Sequence, residues 1–71
     1  MPRKVREIKA DLRRAGFDSR PGKGSHEVFG HPLVREGISI AGGDGDDAKR
    51  YQEREVRAAL EELRAAQRRT P

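Results

Sequence analysis

The sequence predicts an α+β domain of order αβββα, with two helices packed on one face of a three-stranded antiparallel sheet. Three observations carry this. Near each end, apolar residues recur at spacings of three and four, the helix period. Between them lie short β-prone runs broken by Gly and Pro. Finally, two amphipathic helices each need apolar surface to cover, and one sheet face can serve both.

The first helix is predicted over residues 3–15, where Val5, Ile8, Leu12 and Ala15 form the apolar stripe. Gly16 follows as a C′ residue suited to the left-handed conformation, and Phe17 as C″ packs back on Leu12, a Schellman ending. Arg6, Lys9 and Arg13 are expected together on a face turned away from the stripe. That face either lies along phosphates or is an ordinary solvated face, and both readings stand.

Strands are predicted over 17–20, 25–31 and 37–41. In the last, Ile38 and Ile40 alternate with Ser39 and point to one face. Leu33 to Glu36 is expected to form a hairpin turn. The neighbours Val28 and Phe29 must face opposite sides of the sheet. Taking Phe29 as the core residue leaves Val28 and His26, which share parity, on the open face.

Residues 42–47 form an acidic loop with aspartates at 44, 46 and 47. A calcium loop of the EF-hand kind needs a glutamate at its twelfth position and flanking helices, and neither is present. Turn formation, charge at a helix N-terminus or contact with a basic partner is the expected role. The second helix is predicted over 52–68, with Val56, Leu60, Leu63 and Gln67 on its inner face beside Ala59 and Ala66, and Glu53–Arg57 as an i,i+4 pair. Its start is open: Asp46 or Asp47 caps an earlier turn, or Gln52-Glu53 opens the helix. The tail 68–71 is expected to fray.

Composition narrows the classes of function. The 71 residues contain no cysteine, which implies one small domain without disulfides or thiolate metal sites. A 32% apolar and 39% charged make-up can accompany disorder, but the periodicity argues for a folded domain with a thin core that a partner would help to cover. No signal peptide or membrane-spanning run is evident, so a cytoplasmic domain with no membrane partner is expected. Residues 1–23 carry eight basic groups against three acidic ones, while the chain as a whole is only +4. A basic half of this kind suits a phosphate backbone.

The chemistry-bearing stretch is Lys23-Gly24-Ser25-His26. Glycine permits a tight turn and close approach, and histidine both takes and gives a proton near neutrality. A cation and an imidazole on such a loop suit proton transfer on an anionic substrate. The plain alternative is a glycine-rich hairpin loop with a solvated histidine.

The run Lys4-Val5-Arg6-Glu7, then Arg14-Ala15-Gly16-Phe17, then Lys23-Gly24-Ser25-His26 and His31-Pro32 resembles the HicA toxins of bacterial type II toxin–antitoxin systems. The resemblance spans about residues 3–64. It implies a double-stranded-RNA-binding-domain-like fold, a metal-independent endoribonuclease acting on mRNA without a cofactor, and a HicB-like antitoxin as partner. By that resemblance His26 is the catalytic histidine, with Gly24 and Ser25 as its flanking loop. The RNA 2′-OH would attack the adjacent phosphate, with His26 as general base or acid and Lys23 stabilising charge on phosphate oxygens. Arg6, Lys9, Arg13 and Arg20 complete the expected substrate-binding set. Many family members carry Pro-x-His after the third strand and Lys-Pro-Gly-Thr before the last helix. Here residues 41–52 read Ala-Gly-Gly-Asp-Gly-Asp-Asp-Ala-Lys-Arg-Tyr-Gln, with no downstream histidine. His31, before a proline at a strand end, reads as structural. The second proton-transfer group is left open among Tyr51, Lys49 and water. A non-catalytic RNA-binding module and a protein-interaction adaptor are the alternative functions.

Overall fold

The computed structural model describes residues 3–69 and has the predicted element order. Helix α1 (Val5–Arg14) is followed by β1 (Asp18–Pro21), β2 (Glu27–Gly30), β3 (Ile38–Ile40) and helix α2 (Arg50–Arg69). The strands pair antiparallel in the order β1-β2-β3. Across the sheet Arg20, Val28 and Ser39 stand in one register row, and Ser19, Phe29 and Ile38 in the next.

The end of α1 is built as its sequence requires. Gly16 takes φ +96°, its N–H reaches the carbonyl of Arg13 at 3.0 Å, and the Phe17 N–H reaches that of Leu12 at 3.0 Å. These are the two bonds of a Schellman motif, and they turn Phe17 into the core. The start of α1 is capped from afar. Glu7 accepts the Lys4 N–H at 2.7 Å, while the Asp46 and Asp44 carbonyls accept the N–H groups of Val5 and Arg6 at 2.8 and 3.3 Å. Two donors that every helix leaves unpaired are thus met by the acidic loop's backbone.

Both helices cover one sheet face. Phe29, Ile8, Leu12, Ile40 and Val5 are almost fully buried, joined by Phe17, Val34, Ile38, Ala48, Val56, Ala59 and Leu63. Phe29 is therefore the core residue of the Val28–Phe29 pair, as expected from strand alternation. Among the described residues, the opposite sheet face carries no helix.

Several boundaries differ from expectation, each for a local reason. Strand β1 starts at Asp18 because Phe17 is spent in the Schellman ending, and β2 starts at Glu27 because Ser25 and His26 belong to a turn. The loop after β2 is more than a turn, since Val34 dips into the core. Helix α2 opens at Arg50, and neither aspartate caps it. Gln52 Oε1 accepts the Lys49 N–H at 2.8 Å, one half of a capping box, while its Nε2 donates to the Ala41 carbonyl at 2.9 Å. Its buried face runs through Gln52, Val56, Ala59, Leu63 and Ala66; Leu60 is half-buried and Gln67 is exposed. Glu53 and Arg57 form no ion pair among the described residues. Arg68 and Arg69 are still helical, while Thr70 and Pro71 lie outside the described residues. No described helix is long and apolar enough to cross a membrane.

Candidate functional site

The β1–β2 connection presents the histidine. The Lys23 carbonyl accepts the His26 N–H at 3.0 Å, and the Gly22 N–H reaches the His26 carbonyl at 2.8 Å, closing the hairpin. Gly24, first of the two central turn residues, has φ +59°, whereas Ser25 does not have positive φ. A positive φ at that position is one that glycine takes without steric cost. A Cβ on Gly24 would meet nothing within 4 Å, so backbone angle rather than space requires glycine there.

The same carbonyl orients the imidazole. His26 Nδ1 lies 2.9 Å from the Lys23 oxygen. A carbonyl only accepts, so Nδ1 donates, and in the neutral ring Nε2 holds the free lone pair. The ring is exposed at the mouth of a cleft of about 230 Å³ lined by Lys9, Pro21, Gly24, Ser25, His26 and Glu27. Lys23 is exposed and makes no ion pair among the described residues. Ser25 Oγ accepts the Gly42 N–H at a long 3.4 Å, tying the turn to the acidic loop. A Cβ on Gly22 would stand 3.2 Å from His26 Cβ and 3.4 Å from Val28 Cγ2. His26 and Val28 are therefore neighbours on the open face, as their parity requires.

Glu27 points the other way, toward α1. Its carboxylate accepts Arg13 at 2.8 Å and pairs with Lys9 at 3.1 Å. Burial pushes its carboxyl pKa up, but hydrogen bonds from Ser19, Lys9 and Arg13 outweigh that and hold it below the usual glutamate range. Lys9 also lies 3.6 Å from Asp44, and Arg13 sits 5.3 Å from the centre of the Phe29 ring.

This corrects the expected cationic face of α1. Lys9 does not share a solvated surface with Arg6 and Arg13: it is only 5% exposed and ion-paired. Arg13 is exposed but engaged with Glu27. Arg3 and Arg14 both pair with Asp11, and Lys4 with Asp47. The Arg3 hydrogen bond, with that of Arg14, lowers the Asp11 carboxyl pKa against the effect of burial, and the same Asp11 bond raises that of Arg3. Of the expected substrate contacts on α1, Arg6 alone has no carboxylate partner among the described residues. Arg20 lies on the open face beside Val28, likewise without one.

His31 stands at the far end of β2. Its ring centroid is 5.4 Å from that of Phe17, and its Nδ1 accepts the Leu33 N–H at 3.0 Å. These two contacts seat it in the β2–β3 loop. Tyr51 and Lys49 are exposed, and neither is hydrogen-bonded to His26 among the described residues. The aspartates of 44–47 form no metal-holding cluster with other His, Cys, Asp or Glu side chains among the described residues.

Glu27 was missed by sequence reading as the organiser of this region. The signal was there: it shares strand parity with Phe29, which puts a carboxylate on the core side where a cation must meet it.

The fold is a small α+β domain of order αβββα, like that of double-stranded-RNA-binding domains, with a histidine turn beside an open sheet face. A family model described as HicA toxin of bacterial toxin-antitoxin matches residues 5–67, and the chain belongs to the HicA toxin family. That family comprises the toxins of toxin–antitoxin pairs, with ribonuclease activity in general terms. No curated protein and no solved structure matches the chain.

Proposed function

We propose that this chain is a metal-independent endoribonuclease that cleaves mRNA in the cytoplasm, with His26 in acid–base catalysis. The observation that carries this reading is the Nδ1 bond to the Lys23 carbonyl, which leaves Nε2 facing outward as a proton acceptor. Neutral His26 takes the proton of a ribose 2′-OH. That oxygen attacks the adjacent phosphorus, a 2′,3′-cyclic phosphate forms, and the 5′-oxygen departs with a proton from the imidazolium or from water. Lys23 and the N–H groups of Gly24 and Ser25, which have no hydrogen-bond acceptor among the described residues, would bind phosphate oxygens as charge develops. Arg6 and Arg20 are proposed as further backbone contacts. Lys9 and Arg13 act through Glu27, holding the strand that begins beside His26. The antitoxin is proposed to be HicB-like and to cover the Lys23–His26 turn.

The test is His26→Ala. With EDTA present in both assays, wild type should retain its cleavage of RNA and the variant should be about 10²–10⁴-fold slower. Stability should move by no more than about 0.5 kcal/mol, because the ring is exposed, and RNA binding should persist. A folded variant that cleaves at the wild-type rate removes His26 from the chemistry, and retained binding without any wild-type cleavage makes the chain an RNA-binding module.

A further inference from the structure

The open sheet face continues past His26. Alternation puts Val28 and then Gly30 on that face, and Arg20 and Asp18 stand opposite them in register. Beyond Val28 lies a second cleft, of about 390 Å³, bounded by Asp18, Arg20, Val28, Gly30, Pro32 and Arg35. Such a volume is within the range of small-ligand sites, about 300–1,000 Å³. Gly30 leaves its floor bare: a Cβ there would meet nothing within 4 Å, and its φ is not positive. Asp18, Arg20 and Arg35 are exposed and form no ion pair among the described residues. The Arg35 backbone is fixed separately, its N–H donating to Glu62 at 2.7 Å.

We propose that this cleft is a nucleobase subsite for the same single RNA strand whose scissile phosphate lies at His26. The chemistry selects the ligand. The Asp18 carboxylate accepts from an exocyclic amine, the arginine guanidiniums offer a stacking plane and a phosphate contact, and Val28 and Pro32 supply apolar edges. Splayed single-stranded bases are held in this way. Adenine, cytosine and guanine carry the amine and uracil does not. Gly30 lies four steps along the chain from His26, about 13 Å at strand rise, so the base belongs to a nucleotide beyond the one being cut. The cleft would therefore set sequence context rather than perform chemistry. This rests on the ribonuclease reading of the histidine turn.

The experiment uses the full chain with two substrate classes: a dinucleotide holding only the scissile bond, and hexanucleotides in which it is flanked by amine-bearing bases or by uracil alone. Gly30→Val fills the floor with a residue that favours strands, and Asp18→Asn and Arg35→Gln alter the walls without touching the core. Wild type should prefer the amine-bearing hexanucleotides. Gly30→Val should raise KM for them about tenfold, the size of one lost stacked base, while dinucleotide cleavage stays within about twofold of wild type. Asp18→Asn should erase the preference against uracil. Unchanged hexanucleotide KM in all three variants overturns the proposal, and so does an equal loss on the dinucleotide. If wild type cleaves nothing, the catalytic reading has failed, and fluorescence anisotropy of the hexanucleotides decides the cleft. Weaker binding by Gly30→Val upholds it, and unaltered binding by all variants overturns it.

Discussion

Lys9 shows how a single residue can be misplaced by its type. A lysine among arginines reads as surface, yet it stands four residues after Val5 and three before Leu12, which is the phase of the buried stripe itself. Its helical position was legible and its chemistry concealed it; the carboxylate of Glu27 resolves the conflict at 3.1 Å. Glu27→Gln removes the charge that compensates a buried cation and should destabilise the fold by about 1.5–3 kcal/mol, measurable by urea unfolding. The same carboxylate gives a pH signature. Glu27 and Asp11 both have folded-state pKa values below their unfolded ones. Their contribution is complete above the unfolded carboxylate range of about 4 and is lost as pH falls below it through the folded values. Unfolding free energy should thus fall from about pH 4 downward, and the fall should be shallower in Glu27→Gln.

At the scale of elements, two glycines with positive φ separate stability from activity. Gly16→Ala and Gly24→Ala should each cost about 1 kcal/mol or more, since both impose backbone angles that alanine resists. Only Gly24→Ala should also slow RNA cleavage in folded protein, because its turn supplies the carbonyl that orients His26. Equal loss of activity in both variants would mean that the turn has no special role. The helix end at Gly16 was readable in full, since stripe, glycine and following aromatic stand at the offsets the motif needs. The strand ends were not. Whether Ser25 and His26 extend a strand or close a turn depends on pairing with residues 22 and 23, which local composition does not encode. The start of α2 escaped for a similar reason, because its cap is a glutamine whose second bond goes to Ala41, on the far side of the acidic loop.

For the whole molecule, the distribution of unpaired charge matters more than its total. The cations of α1 other than Arg6 are neutralised within the domain, whereas Arg20, Lys23 and Arg35 form no ion pair among the described residues and stand on the same side as the histidine turn, where phosphates should bind. Arg20→Gln and Lys23→Gln should each lower the salt-dependence slope of single-strand RNA binding by about 0.7, while Arg14→Gln should leave it unaltered. The antitoxin should compete for that side. Hydrogen exchange with and without the antitoxin should show protection across residues 22–30; protection confined to α2 would refute direct covering of the turn. The acidic loop has its own bearing on how such a domain can change. What it gives to α1 are the carbonyl oxygens of Asp44 and Asp46, and every amino acid carries one. Its side-chain pair with Lys4 is exposed at both ends, and such pairs are weak; the contact of Asp44 with Lys9, at 3.6 Å, is secondary to that of Glu27 at 3.1 Å. Residue identity and structural duty are therefore largely uncoupled at position 44, whereas Asp46 also closes the loop through its side chain, Oδ2 accepting the Gly43 N–H at 2.9 Å. Here a lineage can rewrite the surface next to the histidine turn, and with it the choice of RNA or antitoxin, while the helix start it supports stays in place.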